Sequence, residues 1–566
     1  MFVGCVKKEM GSPIGTPSIS EEPNHCMKKK IITVFGCLSF GLLAISCGGN
    51  NNDDIPERIE PETPSSQTPT SPTNSDYNNL GEGFTPHKSG DPYNTLKGLV
   101  MCGYQGWFGT PGDGSPLTTV AANEGWYHYR ESEQFRPGVL RNSIDFWPDM
   151  SEYDHKYVVG DGDNTGYSSP FIMPDGTHAT VFSSYDKQTV LTHFKWMKEY
   201  DIDGAFMQRF VGEIQDARHK DHFDKVLEHA MEGSNTYQRA IVIMYDMGGV
   251  VNEKMANSMV KDAQELMNKY NLKDRTQQKF YLYQNGKPLL SLWGVGLHDN
   301  NQPKPSFLKP YVEQLKAQGW SIMLGGPGYW RQGGNDAWSG AEHTEFINLV
   351  KSCDAFIPWY VGRYGYDNFL SSDWQNRIKQ DIATAKTYST ADHQVTYALH
   401  VFPGGSDRNM HPNNGYPDGD RTNTGFRYGG KFYWNQLYHD IKNGAEAIYI
   451  GMFDEMDEGT AIFKQLNVSK VPSNVPYKKA NVPSKYGYNT DDDYFVTFST
   501  GGGYSMSSND RTGQNGVQWC VQQSKLDIRF QGIDDDKPTD YYLWLTGQAR
   551  KMLNGEIKMT ESIPSR

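Results

Sequence analysis

The chain has 566 residues, 37% of them hydrophobic and 21% charged, and a mean hydropathy of −0.67, which excludes both a membrane bundle and a disordered chain. Its net charge of −13, from 54 basic and 67 acidic residues, excludes a surface built to wrap nucleic acid and suits a neutral ligand. The 13 Trp, 34 Tyr and 26 Phe supply ring faces of the kind that cover the C–H face of a pyranose.

Lys28, Lys29 and Lys30 follow Met27, and an apolar stretch runs over 31–45. That stretch is too short to span a bilayer and has the length of a signal-peptide core. It closes on Leu43-Ala44-Ile45-Ser46-Cys47, which resembles a bacterial lipobox. The resemblance implies acylation at Cys47 and a Bacteroidetes-type outer-membrane lipoprotein, displayed at the cell surface or facing the periplasm. An ordinary signal peptide with an incidental cysteine is the alternative. Residues 1–47 then form the signal region, with Met27 as the expected start. Residues 48–90 are Asn, Asp, Pro, Ser and Thr with few aliphatics, and read as a flexible tether. A chain starting near Asp91 is expected to fold and act alone. Of the seven cysteines, Cys102, Cys353 and Cys520 fall beyond the tether. They have no CxxC spacing, so neither a zinc site nor a disulfide framework is expected.

From residue 91 onward, short apolar runs alternate with amphipathic stretches. Strands are expected at 98–105, 204–210, 240–247, 288–293, 321–326, 355–361, 395–402 and 445–453, each continuous and rich in β-branched or aromatic residues, as for parallel strands buried on both faces. Helices are expected at 187–200, 216–231, 253–270, 306–318, 340–351, 373–386, 431–443 and 538–554, the last stopping before Gly555. This alternation is that of a (β/α)8 TIM barrel over 91–566. A doubly wound open sheet is the competing arrangement, but no glycine-rich phosphate loop opens a helix. Residues 465–536 break the pattern with Pro472, Pro476 and Pro483 and then β-like runs at 495–498, 517–521 and 526–530. They read as a β-rich insertion after strand eight.

Barrel chemistry sits at the C-terminal ends of the strands. The last strand ends in Asp454-Glu455-Met456-Asp457-Glu458-Gly459-Thr460. Four carboxylates in five positions repel one another, and Glu455 and Glu458 are spaced as neighbours on a helical turn. Such a pair can divide into an ionised base and a protonated acid, the division that glycoside hydrolysis needs. A solvated acidic loop or a calcium site remains the alternative.

The strand-eight segment resembles the family 99 glycoside hydrolases, endo-α-mannosidases and endo-α-mannanases, whose motif reads N-E-W-H-E-G-T, or a divergent branch near families 71 and 99. Further similar stretches are Gly125-Trp126-Tyr127-His128, then Tyr200 to Phe206, Arg421 to Arg427 with Phe432-Tyr433-Trp434, and Tyr541 to Gly547, in family order. The family's Asn, Trp and His are replaced here by Asp454, Met456 and Asp457. The resemblance implies a retaining hydrolase of α-linked glycans, α-mannan-like chains foremost, working through a 1,2-anhydro sugar. Glu455 would deprotonate the sugar 2-hydroxyl. Glu458 would protonate the leaving group, its pKa raised by the neighbouring carboxylates.

Further substrate-binding candidates stand at or near strand ends: Trp126, His128, Gln208, Tyr245, Asp246, Trp359, Tyr360, Asp407 and Asp454. Aromatic rings there are sugar platforms or core. His400 is a weaker candidate of the same kind. Residues 161–166 superficially look like a calcium loop but lack its closing Glu. No cofactor, metal or nucleic acid is expected. The expected partner is a polysaccharide or oligosaccharide bound by a monomer that meets a membrane only through its lipid. Two other readings stay open. One is a non-catalytic glycan-binding lipoprotein on the same barrel. The other is an adhesion module working through the insertion.

Overall fold

The computed structural model describes residues 80, 84–118, 125–129, 135, 144–159, 171–250, 252–298, 302–406, 409, 427–472, 497–499, 511–512, 517–519 and 530–566. All of them fall in the compact unit Pro72–Arg566.

The eight barrel strands are β1 (Val100–Tyr104), β2 (Gly204–Phe210), β3 (Ala240–Asp246), β4 (Lys287–Trp293), β5 (Ser321–Gly326), β6 (Ala355–Pro358), β7 (Thr396–Val401) and β8 (Ala447–Ile450). All neighbouring pairs are parallel. The ring closes through β1 with β8 (Met101 opposite Tyr449) and β3 with β4 (Met244 opposite Ser291). The helices α1 (Lys187–Glu199), α2 (Ala217–Tyr237), α3 (Glu253–Lys269), α4 (Pro305–Gln318), α5 (Gly340–Ser352), α6 (Ser372–Lys386), α7 (Lys431–Asn443) and α8 (Tyr541–Leu553) each follow a strand in turn. This is the (β/α)8 barrel that the alternation predicts. Glycine opens β2 for a steric reason: a Cβ on Gly204 would stand 1.9 Å from the Ala240 carbonyl oxygen.

Side chains alternate along each strand. Met101, Phe206, Val242, Met244, Leu289, Met323, Ile357, Ala398 and Tyr449 fill the barrel interior. Their neighbours, such as Val100, Ala205, Ile243, Leu290 and Ile448, pack outward against the helices. The same parity runs on to the strand ends, and it decides which residues reach the mouth.

The expected insertion departs from the barrel between two packed ends. Leu466 N–H donates to the Trp147 carbonyl (2.9 Å) and Ile533 N–H to that of Leu466 (3.0 Å). Between them, Thr497–Ser499, Val517–Trp519 and Arg511–Thr512 form a small antiparallel sheet. The strand expected at 526–530 lies outside the described residues except for Phe530, which packs on Trp147.

The packed chain begins before Asp91. Phe84 sits where a Cβ on Gly98 would be, 2.2 Å from its Cζ. His87 stacks on Tyr93 with ring centroids 3.7 Å apart. Tyr93, Leu96 and Leu99 in turn plug the N-terminal end of the barrel. The segment 84–90 thus belongs to the domain and not to the tether, whose earlier part lies outside the described residues. Starting the chain at Asp91 is expected to cost about 1–2 kcal/mol, the scale of a half-buried phenyl and one ring stack. Urea melts of chains beginning at Leu80 and at Asp91 check this, and equal midpoints would return the segment to the tether.

Candidate active site

Residues at or just beyond six of the strand ends make the floor of the mouth: Gln105 beyond β1, Gln208 on β2, Asp246 on β3, Trp293 on β4, Trp359 beyond β6 and His400 on β7. The loop after β8 crosses this ring. Phe453 N–H donates to the Gly103 carbonyl (2.8 Å) and Met452 N–H to that of Thr460 (3.2 Å). The apolar run expected as strand to 453 therefore leaves the ladder after Ile450 and turns across the barrel top.

That turn separates the two glutamates. Glu455 is 2% exposed. Its Oε2 accepts from Gln105 Nε2 (2.8 Å), and its Oε1 is buried without a hydrogen-bond partner. Glu458 is exposed. Its carbonyl oxygen accepts from Ser406 N–H (2.8 Å), so the backbone at the rim is tied to the loop after β7. Gly459, with φ +66°, allows that approach: a Cβ there would stand 2.7 Å from Ser406 N.

The two aspartates have different tasks. Asp454 is fully buried, and its two oxygens accept from the backbone N–H groups of Gln105 (2.8 Å) and Gly106 (2.9 Å). It ties the β8 loop to the end of β1, so the expected substrate contact at Asp454 is replaced by this tie. Asp457 Oδ2 meets His128 Nδ1 at 3.2 Å, and its Oδ1 is buried without a partner. Burial pushes both carboxyls up to about 7, against the two backbone amides in the case of Asp454. The carboxyl groups with a raised pKa at this turn are thus the buried Asp454 and Asp457.

His128, at φ +58°, lies flat on Trp107 with centroids 3.6 Å apart. Trp107 stacks in turn on Phe210, the last residue of β2, at 5.2 Å. Trp359 stands edge-on to Trp293 (5.1 Å, 79°) and against His400 (4.4 Å). Both indoles are half-buried over the interior core. His400 itself is fully buried, with Nδ1 accepting from Tyr360 N–H (3.3 Å), and burial lowers its pKa to about 3.

Three expected platforms are core. Tyr245 points outward and donates its hydroxyl to Asp262 (2.6 Å). Tyr360 points outward among Tyr364 and Trp374. Parity requires this, since Asp246 and Trp359 next to them face inward. Trp126 is 2% exposed and packs on Tyr129 and Phe135. Asp407, Cys47 and the loop 161–166 lie outside the described residues.

Several groups at the mouth escaped sequence reading. Gln105 orients Glu455. Trp293 partners Trp359. Gln302, in the loop after β4, is buried. Glu213, on a single turn after β2, accepts from the Tyr127 hydroxyl (3.1 Å) and keeps its other oxygen buried without a partner. Burial pushes Glu213 up to about 7, the Tyr127 hydroxyl pulling the other way and Asp246 adding to the rise. Its place in the loop just after a strand end was the available signal. Among the described residues, no group of His, Cys, Asp or Glu is placed to hold a metal ion.

No family model and no curated protein matches the chain. Solved structures similar to it include two of the GH99 endo-α-mannosidase from Bacteroides thetaiotaomicron. The one with bis-tris propane bound is 14% identical, at a TM-score of 0.46, over 81% of this chain and 98% of that one. The other is 16% identical, at 0.44, over 80% and 97%. A family 39 glycoside hydrolase from Bacteroides cellulosilyticus is 9% identical, at 0.30, over 59% and 76%.

Proposed function

We propose that this chain is a retaining glycoside hydrolase acting on α-linked glycans, with α-mannan-like chains as the first substrates to try. The observation that carries the reading is the set of buried polar atoms without partners around Glu455. Glu455 Oε1, Gln105 Oε1, Gln208 Oε1 and Asp457 Oδ1 are all of this kind, at the same end of the barrel as the Trp293–Trp359 pair. Each such atom costs about 1–3 kcal/mol unless something meets it. A polyhydroxylated ring with one apolar face meets both the polar atoms and the indoles.

In this reading Glu455, aimed by Gln105, takes the proton of the sugar 2-hydroxyl, and O2 attacks C1. The C1–O bond to the leaving sugar breaks as Glu458, at the open rim, gives that oxygen a proton. Glu458 then takes a proton from water, the water oxygen opens the anhydro ring at C1, and Glu455 returns its proton to O2. Exposure of Glu458 suits a group that must reach a departing chain. Acylation at Cys47 and display at the outer membrane belong to the same proposal, on the lipobox resemblance alone.

The test is a panel of α-mannans, α-glucans and mixed α-glycans incubated with the purified domain, with product analysis by mass and anomeric configuration. Release of α-configured reducing ends is the expected result. Binding without release would leave a glycan-binding protein, and neither binding nor release would remove the glycan reading altogether.

A further inference from the structure

Gln302 occupies the wall of the mouth between the ends of β3 and β4, and the reaction just described makes no use of it. Its side chain is 6% exposed, and neither Oε1 nor Nε2 has a hydrogen-bond partner. Two glycines leave room for it. A Cβ on Gly294 would stand 2.6 Å from Gln302 Oε1. A Cβ on Gly248 would stand 3.4 Å from Gln302 Nε2 and 2.9 Å from Asp246 Oδ1. The carboxamide and the Asp246 carboxylate therefore flank the same glycine. Trp293, immediately before Gly294, adds an indole Nε1–H that is also buried without a partner. Gly294 has φ +93°, so glycine is required there by conformation as well as by space.

Buried amides with both ends unmet are uncommon in native proteins, because each end forfeits its bond to water. A carboxamide offers one acceptor and one donor side by side. That pair complements two adjacent hydroxyls, one donating to Oε1 and one accepting from Nε2. A carboxylate in the same place would only accept, and an aliphatic side chain would do neither. The indole beside it supplies the surface for the ring's C–H face.

We propose that Gln302 is a specificity-determining residue that holds two adjacent hydroxyls of a sugar ring seated against Trp293, and so selects glycans carrying that pair. The proposal rests on the glycan reading above and adds the residue that discriminates among sugars.

The test measures dissociation constants by saturation-transfer NMR on the full chain. The probes are the methyl α-glycosides of mannose, glucose and galactose and their 2-, 3- and 4-deoxy analogues. For the parent, removing either of two adjacent hydroxyls should weaken binding about tenfold, the scale of one neutral hydrogen bond and its unmet partner. In Gln302→Met those two penalties should shrink below about twofold, while penalties at other positions stay. Gln302→Glu keeps the acceptor, so it should retain the penalty for the donating hydroxyl alone. This second variant decides the matter should the first not fold. The same deoxy pattern in parent and both variants would overturn the proposal and mark Gln302 as met by water only, and so would a parent that binds none of the probes. Hydrolysis is scored separately. An active hydrolase whose deoxy pattern ignores Gln302 removes this proposal and keeps the enzyme. An inactive chain with a Gln302-dependent pattern does the reverse.

Discussion

Glu455→Gln should lower kcat/KM on α-glycans by about 10²–10⁴-fold, the range for loss of one general acid–base group, with the thermal midpoint unchanged. The amide oxygen of the variant can still accept from Gln105 Nε2, the bond that fixes the parent side chain at 2.8 Å, so the loop after β8 keeps its place. The loss should be the same for activated aryl glycosides and for natural glycans, because attack at C1 needs the base whatever leaves. Glu458→Gln should behave differently. It should cripple natural glycans by a similar factor and spare aryl glycosides with good leaving groups. Rates of both variants on both substrate classes check this. Equal ratios in the two, or parental activity in either, would sink the division of labour.

Asp262→Ala should unfold the domain at much lower urea, with a loss of about 3–5 kcal/mol, the scale for removing one member of a buried ion-pair network. Arg209 is 1% exposed on the outward face of β2. Its Nε and Nη2 each donate to Asp262 on α3 at 2.9 Å. Asp224 on α2 takes a further contact at 2.9 Å, and the Tyr245 hydroxyl closes the network. Burial alone would raise the Asp262 pKa. Arg209, the Tyr245 hydroxyl and Lys220 outweigh it and hold the carboxyl below the usual range. A depressed folded-state pKa gives stability that is present above the unfolded value near 4 and lost as pH falls through the folded one. The gap between parent and variant should therefore be full at pH 7 and shrink below about pH 4. A variant with the parent's midpoint at pH 7 would show that this network does not hold β2 and β3 to their helices.

Strand positions were legible wherever an apolar run ends at a glycine or a turn. β2 (Gly204–Phe210), β5 (Ser321–Gly326) and α7 (Lys431–Asn443) lie at the expected residues. The misses have physical causes. α2 continues past Met231 to Tyr237 because Gly233, which reads as a breaker, packs its bare Cα on Phe194: a Cβ there would stand 3.0 Å from that ring. The helix then ends on Gln238 in the left-handed region (φ 57°), with no glycine to mark the stop. β8 is shorter than its apolar run because hydropathy cannot separate a ladder strand from a buried turn.

At the mouth, Glu455, Gln208, Asp246 and Trp359 were legible as residues at or just beyond strand ends, with no face assigned to them. Tyr245 and Tyr360 were separable from them by the two-residue period alone, since neighbours on a strand cannot both face the axis. Gln302 was not legible. Its significance lies in two unmet atoms, and no pattern in one dimension reports a missing partner.

The segment 84–98 enters at the base of the barrel, with Phe84 against Gly98 and His87 on Tyr93, while Glu455 stands at the opposite end. The last residues run the other way. Trp434 Nε1, near the start of α7, donates to the Thr560 carbonyl (3.1 Å), and Arg566 pairs with Asp540 at the N-cap of α8, the end of the helix nearest the mouth. Phe84 and Arg566 therefore lie at opposite poles of the barrel. A bead, a sensor chip or a reporter joined through the N-terminal side keeps the opening clear for a long polymer. The same attachment at Arg566 places its bulk beside the entrance.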